Sequence, residues 1–198
     1  MTTQTRTSEL EAVNTILSTI GESPLNTLSG SLPVDGTIAK NVLSEVSREV
    51  QSQGWHFNTH YKVTLTRDTD NKIPLATNIV RVEVDPRRYS KVSYDIVQRN
   101  NFLYNLAKNE ETFDTNFKDA TAVYLLPFDE IPEQAKRYIT IRSARIFHDR
   151  TLGANTIHKF SQEDEAKALS ILKQAESHTG DYSIFDTPEQ AYTIIRGH

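Results

Sequence analysis

The feature that most restricts this chain is the spacing of its apolar residues, which runs at a helical period, switches to strict alternation, and then returns to the helical period. Leu10, Val13, Leu17 and Ile20 follow Ser8 at helical spacing, and Ser8 with Glu11 has the form of a capping box. Gly21 supplies a stop. The stretch from Glu22 to Pro33 holds Pro24, Ser29, Gly30 and Pro33 and reads as an ordered loop, anchored by Leu25 and Leu28. A second helix is predicted from Asp35 to about Gln53, with Ile38, Val42, Val46 and Val50 inward and Lys40, Glu45, Arg48 and Glu49 on the other faces. Gly54 ends it, and Trp55 and Phe57 are placed to plug the joint that follows.

From Tyr61 the period is 2. Tyr61, Val63 and Leu65 alternate with polar residues, as do Val80, Val82 and Val84, which is the pattern of half-buried strands. A third strand is expected over Val92, Tyr94 and Ile96. A tight turn at Asn100-Asn101 then leads into Phe102, Tyr104 and Leu106. The last strand is expected over Ala122 to Phe128.

The helical period returns behind Pro132. Ala135, Tyr138, Ile139 and Ile146 form the inner stripe of a helix reaching about Thr151, with Gly153 as its stop. Ser161 with Asp164 caps a fourth helix carrying Ala166, Leu169, Leu172 and Ala175, and Gly180 releases an apolar tail.

This order predicts an α+β protein: a helical bundle formed by both chain ends with an inserted antiparallel β-sandwich or barrel-like domain. The expected division is 1–57 and 129–180 for the two parts of the helical domain, 58–128 for the β domain, and 181–198 for a C-terminal docking tail. That tail holds Tyr182, Phe185 and Tyr192, too many aromatic groups for a solvated end, so these three are candidate interface residues.

At 198 residues, with 37% hydrophobic and 24% charged residues, the chain can bury a core and is not expected to be disordered. No apolar run is long enough to span a membrane, and residues 1–8 lack the apolar stretch of a signal peptide, so assembly in a cytoplasm is expected. The absence of cysteine excludes disulfides, thiolate catalysis and cysteine-based metal sites. A net charge of -4 argues against a protein built to grip phosphates, while a mildly acidic wall lets a passing duplex slide by.

No phosphate-binding loop, dinucleotide turn or nucleophile elbow occurs, and no cofactor is expected. His56 and His60 have helical metal-ligand spacing but sit between a glycine and a strand pattern, where a polar and aromatic junction is the better reading. The carboxylates Glu110-Glu111, Asp129-Glu130 and Glu163-Asp164-Glu165 could serve a glycosidase, but several fall in the first turn of a helix, where they complement its dipole. Two basic groups stand out: Arg81, Arg87, Arg88 and Lys91 around Pro86, and Lys136, Arg137, Arg142, Arg145 and Arg150 on the third helix. A solvated turn and a salt-bridged helix face account for most of these. Arg142 lies within the apolar stripe and needs a carboxylate or carbonyl partner, which a subunit interface could supply; Arg142, Arg145, Arg87 and Arg88 are the candidate interface residues of the folded part.

Taken in order, these elements resemble the tail tubular protein A family of T7-like podoviruses, also called the tail adaptor or gatekeeper. The resemblance lies in Glu9 to Gly30 (ELEAVNTILSTIGESPLNTLSG), Gln51 to Asn58 (QSQGWHFN), Phe128 to Gly153 (FDEIPEQAKRYITIRSARIFHDRTLG) and the run QEDEAKAL, while Asn71 to Asp119 is looser. It implies a non-enzymatic virion protein assembled as a dodecameric ring around the channel through which DNA is ejected. Such a ring meets the portal on one side, the nozzle of tail tubular protein B on the other, and the tail fibre outside. The alternative is a tail protein with an added polysaccharide-binding or glycan-hydrolase activity.

Overall fold

The computed structural model describes residues 5–153 and 160–179. The described residues form four α-helices and five antiparallel strands, a mixed α+β protein. Helix α1 spans Glu9–Leu17 and begins on the expected capping box: Ser8 Oγ accepts the Glu11 amide at 3.2 Å, and Glu11 Oε2 accepts the Ser8 amide at 2.8 Å. It ends three residues before Ile20, and Gly21, at φ 82°, turns the chain away. Helix α2 is Val34–Gln51, α3 is Glu133–Leu152 and α4 is Gln162–Thr179. Ser161 and Asp164 cap α4 reciprocally, at 2.9 and 3.2 Å.

Helix α3 packs against α1, α2 and α4, and all four helices share one apolar core. Ala12, Val13 and Ile16 of α1, Ala39, Val42, Leu43 and Val46 of α2, Ile139, Ala144 and Phe147 of α3 and Leu172 of α4 all belong to it. On α2, Val42, Val46 and Val50 are buried as expected, but the inward stripe is wider than that row. Ile38 is 40% exposed while Ala39 and Leu43 are buried, because a helix at 100° per residue presents two adjacent rows to a core that has neighbours on both sides. On α4 the same correction applies: Glu165, Ala168 and Leu172 are buried and Ala166 is exposed.

The strands gather a second core. Strand β1 (Thr59–Leu65) and β2 (Ile79–Glu83) both pair with β5 (Phe117–Tyr124), giving the order β1-β5-β2. Strands β3 (Ile96–Arg99) and β4 (Phe102–Asn105) make a separate ribbon, turning through Asn100 at φ 53°. The described strands form no closed barrel. Phe117 is the hub of this core, with Tyr89, Tyr94 and Phe113 set edge-on to its ring at 4.8 to 5.4 Å.

Three strand expectations need correction. Tyr61 is 52% exposed, because Lys62 adopts φ 59° and the register with β5 shifts on either side of Val63, breaking the alternation. Val92 is 88% exposed in a turn, and the third strand starts only at Ile96. The last strand begins at Phe117 rather than Ala122 and stops at Tyr124, where Pro127 and a short 3-10 turn at Phe128–Glu130 take over.

Polar side chains join the two cores. Gln51, at the end of α2, accepts the Leu126 amide at 2.8 Å and donates to the Leu126 carbonyl at 3.1 Å, pairing with that backbone as a strand would. Asn58, wholly buried, donates to the carbonyls of Gln51 at 2.9 Å and Tyr124 at 2.7 Å and accepts the Trp55 amide. Trp55 donates its indole N–H to Val50 O at 2.8 Å and packs on the helical core as expected.

Candidate interaction surface

The charged face of α3 is the first candidate. Arg142 Nη1 lies 2.8 Å from Glu165 of α4, and its Nη2 lies 2.7 Å from Glu49 of α2. Arg145 Nε reaches the other oxygen of Glu165 at 2.6 Å, and its Nη1 reaches Asp149 at 3.3 Å. Arg150 forms a two-point pair with Glu45 at 2.8 and 2.9 Å. The guanidiniums thus tie three helices together through carboxylates of the same chain. Burial opposes the charge on Arg142, yet the Glu165 hydrogen bond and the neighbouring Glu49 outweigh it and hold its pKa above the ordinary guanidinium value. The Tyr138 hydroxyl beside it is raised, chiefly by burial.

Lys136 behaves unlike its basic neighbours. Its side chain is 1% exposed, and Nζ donates to Thr7 O at 2.8 Å and Asp129 O at 3.1 Å, with Glu133 at 3.4 Å. Glu133 in turn accepts the amide and hydroxyl of Thr7, and Asp129 accepts the Glu9 amide. The cation therefore fastens the start of α1 to the start of α3. Burial would raise the carboxyl of Glu133, but the two Thr7 bonds and Lys136 bring it below its usual value.

The second basic group surrounds the turn after β2. Arg88 pairs with Asp119 of β5, Arg87 lies 3.9 Å from Asp85, and Arg81 lies 3.3 Å from Glu83. These pairs are exposed and contribute little to stability. Most members of the two sequence-predicted basic groups have carboxylate partners within the chain, Arg137 and Lys91 forming no ion pair among the described residues, and the two groups lie on different elements. Tyr182, Phe185 and Tyr192 fall outside the described residues.

The remaining chemistry candidates have structural partners. The His60 ring packs at a tilt of 39° against Tyr124, centroids 4.5 Å apart, and the His56 amide donates to Glu176 at 2.6 Å. Among the described residues no three His, Asp or Glu side chains converge as a metal-binding group, and no helix is long and apolar enough to cross a membrane. Glu111 pairs with Lys72 at 2.7 Å, Glu110 lies 3.7 Å from Lys108, and Asp129 and Asp164 cap helices. Sequence reasoning read Lys136 as part of a basic helix face and Glu165 as a helix-dipole carboxylate and gave no role to the side chains of Gln51 and Asn58; the burial of all four depends on partners remote in the chain.

Comparison with known proteins matches residues 10–182 to the family described as tail tubular protein. Tail tubular protein A of Klebsiella phage KP34 is 27% identical over 168 residues, which cover 84% of this chain and 86% of that protein.

Proposed function

The chain belongs to the tail tubular protein family, a family of structural phage tail proteins, and we propose from that premise that it is the adaptor subunit forming a dodecameric ring between portal and nozzle. The family match over residues 10–182 carries this reading. In the proposed ring, the helices of residues 1–57 and 129–180 supply the contacts between copies. Helices cross-linked by the Arg142, Arg145 and Glu165 network are stiff, and a head-to-tail interface closes only between bodies that hold their shape. The residues that bridge copies are then the outward parts of this charged face and of the turn at Arg87 and Arg88.

The β region of residues 58–128 is assigned to the nozzle, tail tubular protein B, and to the tail fibre, because its turns vary most easily without disturbing the helical core. The tail of residues 181–198, with Tyr182, Phe185 and Tyr192, is assigned to the portal. The ring lines the exit channel, and the internal pairing of Arg142, Arg145 and Arg150 together with a net charge of -4 favours a wall that genomic DNA passes without tight binding. Assembly takes place in the host cytoplasm, before the subunit becomes part of the virion tail.

The test is the mass of the purified protein, alone and mixed with portal, by native mass spectrometry. A closed ring, formed spontaneously or on addition of portal, is the expected result. A monomer that ignores portal and releases new reducing ends from capsule glycan would overturn the adaptor reading.

A further inference from the structure

Helices α1 and α4 lie on either side of α3, and between them runs an open groove of about 790 Å³ walled by Glu11 and Thr15 of α1, Gln134 and Arg137 of α3, and Ile171 of α4. Its polar groups are unequally committed. Glu11 accepts the Ser8 amide and hydroxyl, Glu133 is held by Thr7 and Lys136, and the Thr15 hydroxyl donates to Glu11 O. Arg137 is exposed, lies 5.5 Å over the ring of Phe160, and forms no ion pair among the described residues. Beside it Ile171 is 48% exposed, although it sits on a helix whose other large apolar residues are turned inward.

We infer that this groove is the seat of the chain's own C-terminal segment in the free subunit, with Tyr182, Ile184 and Phe185 against Ile171 and Asp186 against Arg137. Helix α4 ends at Thr179, and from there back to Ile171 is eight residues, about 12 Å along the helix axis. Phe185 lies six residues beyond Thr179, a reach of up to about 20 Å when extended, so the segment returns to the groove with length to spare. Gly180 follows directly on α4 in the sequence, and a glycine just past a helix end permits the reversal that this seating requires. One charge matches locally: Arg137 forms no ion pair among the described residues, and in this seating Asp186 supplies it a carboxylate. Seating covers the exposed Ile171 and keeps the apolar side chains of the segment out of water until a partner competes for them.

The absence of cysteine allows a direct test in the full-length chain. Ile171→Cys with Phe185→Cys is compared with Lys173→Cys with Phe185→Cys under mild oxidation of dilute protein, followed by intact mass and peptide mapping. The control keeps nearly the same loop length but places the thiol about 200° around α4, away from the groove. Docking raises the effective concentration of the two thiols, so the Ile171 pair is expected to close within one chain about tenfold faster than the control. Adding Arg137→Glu to the Ile171 pair is expected to cut that advantage severalfold, while circular dichroism shows the helices intact. Equal closure rates for the two pairs would overturn the inference. Disulfides forming mainly between copies would overturn it too, in favour of tails exchanged between subunits. The experiment uses the isolated chain, so its outcome is independent of whether a ring forms with portal.

Discussion

Replacing Lys136 with methionine isolates what one buried cation contributes. Methionine keeps an unbranched stem of similar volume, so packing of the 1% exposed side chain is retained while the ammonium is lost. Two carbonyls, Thr7 O and Asp129 O, lose a charged donor, and Glu133 loses its cation. Hydrogen bonds to a charged group are worth about 1.5 to 3 kcal/mol each. Those values are already net of desolvating the ammonium, and because both bonds are only part-buried, water takes up some of what the carbonyls lose. The net expected loss is about 2 to 4 kcal/mol, and in a chain of this length each kcal/mol lowers Tm by about 2 to 4 °C, giving a fall of roughly 5 to 15 °C. Because Lys136 joins the start of α1 to the start of α3, hydrogen exchange should accelerate at Thr7 to Glu11 before it does in β5. The exposed Lys173→Met serves as control and should change stability by less than about 0.5 kcal/mol. A Tm for Lys136→Met within about 2 °C of the parent, with exchange at Thr7 to Glu11 unchanged, would refute the reasoning.

Three other perturbations read the remaining joints. Glu165→Gln keeps the shape but leaves Arg142 and Arg145 short of a counter-charge; with those guanidiniums 26% and 21% exposed, solvent moderates the cost to about 1 to 3 kcal/mol by urea unfolding, and less than about 0.3 kcal/mol would argue against the network. Gln51→Leu strands the amide and carbonyl of Leu126 and should cost about 1 to 3 kcal/mol, whereas an unchanged midpoint would mean that the Gln51 pairing adds nothing to the joint that Asn58 and apolar contact already hold. Glu133 has its folded pKa below the ordinary value of 4.5, so the unfolded chain binds the extra proton and stability falls as pH drops through that range. Glu133→Gln should therefore flatten the acid limb of a Tm against pH curve below about pH 4.5 and leave its slope between pH 6 and 8 unaltered; an unchanged acid limb would remove Glu133 from the linkage.

The order of elements was determined by local chemistry and was legible in the chain. Ser8 with Glu11 and Ser161 with Asp164 open helices because a side-chain oxygen and a free amide three residues apart satisfy each other wherever the chain is placed. The Asn100-Asn101 turn and the stop at Gly153 are equally local, since they depend on which residues tolerate positive φ. Family membership was readable for a related reason, being carried by contiguous helical segments. The tertiary structure alone decided which polar groups go inside. A lysine on a helix reads as solvated until Thr7 O, 129 positions away, is brought to its ammonium, and Gln51 reads as a helix end until Leu126 arrives from 75 positions away. Arg142 lay in an apolar stripe, so its need for a partner was visible, but Glu49 and Glu165 as those partners were not. Periodicity reports how a segment meets an average interior; a buried charge is stable only opposite one particular partner, and that pairing exists only once the helices have packed.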